Sequence, residues 1–137
     1  MAVLLDSGIL YALYDRRDSW HDRAIAILRE ERGRLVVPAP VIPEVDHLLG
    51  DRLGKSARIR FYQGLAEGDY LVADLAKERY GRVLELNERF AGLSLGFVDA
   101  AVVAIAEQLG LRRIATSDRR DFEPLASALD LVLLPEN

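Results

Sequence analysis

The chain has 137 residues, half of them hydrophobic, with 22 acidic against 18 basic side chains and a formal net charge of −4. That length predicts one domain over residues 1–137, able to bury about two thirds of its unfolded surface in a single core. Cysteine is absent, which excludes disulfides, thiolate metal sites and cysteine nucleophiles and leaves oxygen and nitrogen groups to carry any chemistry.

The apolar runs fall far short of the roughly 20 residues that span a bilayer, and the start M-A-V-L-L-D has no basic region ahead of its apolar residues. The expected location is cytoplasmic, with no membrane association. The acidic balance argues against nucleic-acid binding by bulk electrostatics. That argument weakens if several acids form one metal site, because bound divalent cations cancel the excess.

Residues 2–5 form a continuous apolar run ending in Asp6, Ser7 and Gly8, the pattern of a buried parallel strand with an acid and a turn at its carboxyl end. Residues 9–14 predict a short apolar and aromatic helix, and residues 15–19 a polar connection in which Asp18 or Ser19 caps the next helix. Residues 20–32 place Ala24, Ile27 and Leu28 at helical spacing before Gly33 stops them. Residues 35–37 read as a second strand. The proline-rich residues 38–43 then lead into a helix with Glu44 in its first turn, since proline belongs at helix starts. Residues 55–67 and 75–90 predict two more helices, separated by a strand at 70–72, with Asp74 capping the second. In residues 97–105 every position except Asp99 is apolar, the composition of a helix buried nearly all round. After Gly110 come a strand at residues 113–116, an acid beyond it at Asp118, and a last strand at residues 131–134. Strands alternating with helices predict a parallel, helix-covered α/β sheet of about five short strands.

An ionised Asp99 in such surroundings costs several kcal/mol unless it is paired, hydrogen-bonded or bound to a metal. No Lys or Arg stands within a turn of it. Plain structural readings exist: Asp99 as a first-turn acid favoured by the helix dipole, Asp118 as a turn or N-cap residue. Taken together, Asp6, Glu44, Asp99 and Asp118 fall at strand carboxyl ends or at the starts of helices, and in a parallel sheet these share one edge. Four converging carboxylates are tolerable only with a cation, and all-oxygen ligands suit Mg²⁺ or Mn²⁺. Such a site serves in-line phosphoryl chemistry.

L-L-D-S-G near the start, P-E-V in the middle, G-F-V-D-A-A-V-V-A-I-A and A-T-S-D-R-R-D-F together resemble the PIN domain family, specifically the VapC-like toxins of bacterial type II toxin–antitoxin systems. The resemblance covers essentially the whole chain and implies a three-layer α/β/α fold. It further implies a Mg²⁺- or Mn²⁺-dependent endoribonuclease that cleaves RNA with metal-activated water, using Asp6, Glu44, Asp99 and Asp118 as metal-binding and catalytic acids. Ser7 and Thr116 are implied to orient those acids or the water. Asp121 sits one residue wider than the family's common spacing before Phe122 and is assigned a supporting position behind the metal. A cognate antitoxin, docked in a groove of the early helices, and a homodimer are implied as partners.

Arg16, Arg17, Lys55, Arg58, Arg119 and Arg120 flank the acidic positions as a set suited to RNA phosphates, although each alone reads as a solvated charge. His47 reads as a partly buried structural histidine, His21 as a helix-start residue, and Asp46 as a surface or salt-bridged acid. Tyr11, Tyr14 and Trp20 read as core, with part of the group free to face the antitoxin. Other readings are a phosphoaspartate phosphatase or receiver and a PIN-fold scaffold without nuclease activity. The phosphatases begin with D-x-D, where this chain has Gly8 in the second position; a scaffold would have lost some of the four acids.

Overall fold

The structure, a computed structural model, describes residues 1–136. Its five strands are β1 (Val3–Leu5), β2 (Leu35–Pro38), β3 (Leu71–Ala73), β4 (Arg113–Ala115) and β5 (Val132–Leu134). All neighbours pair in parallel, in the order β3-β2-β1-β4-β5, with Leu4 opposite both Val36 and Ile114. Every residue of β1 is at most 1% exposed, so both faces of the sheet are covered there and the strand is apolar throughout rather than alternating. At the edge strand β3, Leu71 and Val72 are exposed instead.

The helices are α1 (Ser7–Ala12), α2 (His21–Glu30), α3 (Ile42–Arg52), α4 (Lys55–Ala66), α5 (Tyr80–Arg89), α6 (Gly96–Gln108) and α7 (Arg119–Leu129), giving the α/β/α architecture. From β1 the chain moves outward to β2 and β3, then returns across β1 to lay down β4 and β5. The strand order therefore reverses between β1 and β4, and the crevice outside the carboxyl ends of these two strands is where such sheets hold ligands.

α6 packs on α5 and reaches the sheet at β2, and residues 100–106 are all buried. Its first turn emerges from the core, leaving Phe97 47% exposed where the apolar run predicts burial. Three further differences have local causes. The helix predicted over residues 75–90 is a 3-10 turn, Lys77–Arg79, followed by α5. Its entry is held not by an Asp74 cap but by Gln108 of α6, whose Nε2 donates to the Asp74 carbonyl at 3.0 Å and whose Oε1 accepts from the Ala76 N–H at 2.9 Å. Asp18 Oδ1 accepts from the Trp20 N–H at 2.8 Å, a turn ahead of α2 rather than a cap on it. α7 has no counterpart in the sequence pattern, because Pro124 stands inside it and removes a helix donor.

Candidate active site

Asp6 follows β1 at the N-cap position of α1, Asp118 follows β4 at the N-cap of α7, and Asp99 and Glu44 lie in the first turns of α6 and α3. The first two flank the point where the strand order reverses. Thr116, fully buried, links them: its Oγ1 donates to Asp6 Oδ2 at 2.9 Å and accepts from the Asp118 N–H at 2.9 Å. The neighbouring positions are equally close, since a Cβ on Gly8 would lie 2.0 Å from Ser117 Oγ and 3.3 Å from Ser117 Cβ. Any larger residue at position 8 would have to displace the Ser117 hydroxyl.

Asp6 is 3% exposed, and its second oxygen, Oδ1, is buried without a hydrogen-bond partner. Burial is the main force raising its pKa to about 6; the Ser7 N–H and the Thr116 hydroxyl pull it down, and the charges of Asp118 and Glu44 push it up. Asp99 rises further, to about 7, again chiefly through burial and then through Asp6, Asp118, Asp121 and Glu44.

Asp99, Asp118 and Asp121 each offer a carboxylate oxygen within 4.8 Å of the others. The closest trio thus includes Asp121, to which the motif spacing assigns a supporting position, and leaves out both the buried Asp6 and the exposed Glu44, whose charges still reach Asp99. α7 explains why. Asp118 at its N-cap accepts from the Asp121 N–H at 3.3 Å, so the wider D-R-R-D spacing spans one capping turn and brings both acids to the same end of the helix. Several acids converging with one buried oxygen unpartnered form a donor set that fits a hard divalent cation.

The other sequence-selected residues have varied surroundings. Ser7 reaches Asp6 through its backbone N–H. His47 is exposed, not partly buried, because it falls on the outer side of α3. Asp46 is bound by Arg58 through Nε at 3.0 Å and Nη2 at 3.1 Å and also accepts from the Tyr62 hydroxyl. Arg119 donates to the Pro135 carbonyl and lies over Trp20, which Arg23 also covers at 3.6 Å. Arg58 and Arg119 are therefore engaged within the fold, whereas Arg16, Arg17, Lys55 and Arg120 are exposed. His21 Nδ1 donates to the Ala12 carbonyl at 2.6 Å, tying α2 to α1. Tyr11 is buried; Tyr14 and Trp20 are half-buried. Tyr14 also lines a cavity of about 830 Å³ together with Arg16, Arg17, Ile25 and Arg60.

Known proteins share this fold. The chain is 27% identical over 123 residues to Ribonuclease VapC26 of Mycobacterium tuberculosis, covering 90% of this chain and 91% of that protein. The crystal structure of Mycobacterium tuberculosis VapC20, described as a sarcin-ricin loop cleaving toxin, superposes with a TM-score of 0.82 at 19% identity, covering 96% of this chain and 97% of that one. A chain of a toxin–antitoxin complex from Klebsiella pneumoniae superposes with a TM-score of 0.71 at 19% identity, covering 88% and 90%. No helix among the described residues is long and apolar enough to cross a membrane. Residues 3–127 match the model of the PIN domain, and the chain belongs to that family.

Proposed function

We propose that this chain is a Mg²⁺- or Mn²⁺-dependent endoribonuclease of the cytoplasm and the toxin of a toxin–antitoxin pair. The observation that carries the reading is the meeting of Asp6, Asp99, Asp118 and Asp121 at the crevice between β1 and β4, with Asp6 Oδ1 buried and unpartnered. The family match and the ribonuclease name of the 27% identical relative support the reaction class.

Asp99, Asp118 and Asp121 supply the oxygens that hold the ion, and Asp6 presents Oδ1 while Thr116 fixes its other oxygen. A divalent cation bound here supplies activation of water and charge neutralisation at the departing oxygen. Glu44 adds negative charge from the rim. The exposed Arg16, Arg17, Lys55 and Arg120 meet RNA phosphates. Water attack on phosphorus with loss of the 3′-oxygen leaves a 5′-phosphate and a 3′-hydroxyl.

A cognate antitoxin as partner is supported by the toxin–antitoxin complex among the structural neighbours. A homodimer is supported by the exposed Tyr80, Leu84 and Phe97 of α5 and α6, where the two rings stack at 6.1 Å, an apolar surface that a second copy would cover.

The test is cleavage of RNA by the purified chain with Mg²⁺ or Mn²⁺, abolished by chelator, with the new ends identified. A 5′-phosphate is expected; a 2′,3′-cyclic phosphate would make the RNA 2′-hydroxyl the nucleophile and overturn the reading.

A further inference from the structure

α6 carries Asp99 in its first turn, yet its N-cap residue Leu95 makes no side-chain hydrogen bond to that turn. The missing cap comes from α5. Asn87 Oδ1 accepts from the Gly96 N–H at 3.1 Å, while its Nδ2 donates to the Gly96 carbonyl at 3.1 Å and to the Val83 carbonyl at 2.9 Å. Both donors of the amide and its acceptor are engaged, and two of the three bonds grip one residue. Gly96 itself has φ +70°, a turn that glycine makes without steric cost, so the clamp sits on the sharp bend that aims the helix.

The bend is three residues from Asp99, which shares its surroundings with the negative charges of Asp6, Glu44, Asp118 and Asp121. Mutual repulsion presses the first turn of α6 away from the cluster whenever the charge is not neutralised. The packing of α6 on α5 holds the body of the helix, and at its entry the only side chain gripping the Gly96 peptide groups among the described residues is Asn87. We propose that Asn87 is a positioning residue for the acidic site, holding the first turn of α6 so that Asp99 keeps its distance to Asp118 and Asp121. This rests on the metal-site reading given above.

The same helix provides its own control. At its last residue, Gln108 makes the same kind of two-way amide clamp, onto Asp74 and Ala76. A merely structural role predicts similar consequences for Asn87→Ala and Gln108→Ala; a positioning role predicts that only the first disturbs the acids.

The experiment measures Mn²⁺ affinity of the full chain by calorimetric titration for wild type, Asn87→Ala and Gln108→Ala, alongside their melting temperatures and the kcat and KM of RNA cleavage. Asn87→Ala is expected to bind Mn²⁺ about ten- to hundredfold more weakly, as loss of a group that orients a ligand does. Its kcat falls while KM for RNA holds, and Gln108→Ala binds as wild type does although it too melts lower. Equal Mn²⁺ affinity of Asn87→Ala and wild type, or equal weakening in both variants, overturns the proposal. Should Asn87→Ala not fold, Asn87→Asp keeps the acceptor facing the Gly96 N–H but loses both donors, and wild-type Mn²⁺ affinity in it is equally fatal. A wild type that takes up no Mn²⁺ overturns the metal-site reading and the clamp's role with it, an outcome distinct from uptake that the clamp does not affect.

Discussion

Thr116 holds Asp6 and the backbone of Asp118 through a single buried hydroxyl, donating to one at 2.9 Å and accepting from the other at 2.9 Å. Two loops from strands that are neighbours in the sheet but remote in the chain are thereby fixed to each other. Thr116→Val keeps the shape and removes both bonds. It is expected to cost about 1–3 kcal/mol of stability, since it leaves a buried acceptor and a backbone donor without partners, and about ten- to hundredfold in cleavage rate. Melting curves and RNA cleavage by the variant check this; cleavage at the wild-type rate would show that Asp6 does not depend on the hydroxyl.

Single amide replacements should separate the acids. Asp6→Asn, Asp99→Asn and Asp118→Asn are each expected to lower kcat by about two orders of magnitude or more, because each removes a charged oxygen from the proposed ion. Asp121→Asn should fall with them. Glu44→Gln should cost less, since Glu44 is exposed and stands outside the closest trio. Initial rates at saturating Mn²⁺ rank the five, and a near-normal Asp99→Asn would remove the cluster from the reaction.

Without metal, pH should act on stability in the unusual direction for carboxylates. Folded Asp6 and Asp99 retain their protons to about 6 and about 7, against an ordinary value of 3.8. The unfolded chain releases them from about pH 4, so the stability they contribute is fully present below that and lost as pH climbs through 6 to 7. For Asp6 alone the difference corresponds to roughly 3 kcal/mol. In chelator at pH 7, Asp99→Asn should therefore melt at or above the wild type, and millimolar Mn²⁺ should reverse that order. A variant clearly less stable than wild type in chelator would make Asp99 a structural acid.

Gly8→Ala should be repaired at a distance. The added methyl would overlap Ser117 Oγ at 2.0 Å, so the Ser117 hydroxyl must turn out of its place between the two acid-bearing loops, at a cost of about 1 kcal/mol. Ser117→Ala added to it removes the overlapping oxygen and should recover most of the loss, leaving only the 3.3 Å approach to Ser117 Cβ. Thermal melts of the single and double variants decide; no recovery would mean that the methyl collides elsewhere.

Leu84→Lys should leave the fold intact and abolish the proposed dimer, because Leu84 is 61% exposed beside Tyr80. Light scattering at micromolar concentration should give a dimer for wild type and a monomer for the variant. A monomeric wild type would remove the second copy from the proposal.

The sequence makes Asp6, Asp99 and Asp118 visible because each interrupts an apolar run at the end of an element, where local pattern and tertiary position coincide. The parallel sheet is legible for the same reason, each strand being short, apolar and followed by a turn residue. Motif spacing sets Asp121 apart because it compares strings, whereas one capping turn on Asp118 absorbs the inserted residue and brings the two carboxylates together. The hidden α7 compounds this, since Pro124 masks it. Glu44 and His47 show the converse limit: a first-turn position fixes where the backbone lies but not how far an exposed side chain stands from its neighbours. Asn87 carries no signal at all in the chain, its partner lying across a loop nine residues away.

Trp20 is the single tryptophan of the chain, and it lies beneath Arg23 and Arg119, the latter adjoining Asp118. Excited selectively, the chain's long-wavelength emission thus originates from one indole that senses a guanidinium anchored to the first residue of α7. The wild-type protein carries one intrinsic fluorophore in contact with the residue that follows Asp118, so that a change in tryptophan emission on adding Mn²⁺ would test, with no dye attached, whether the proposed site takes up the ion.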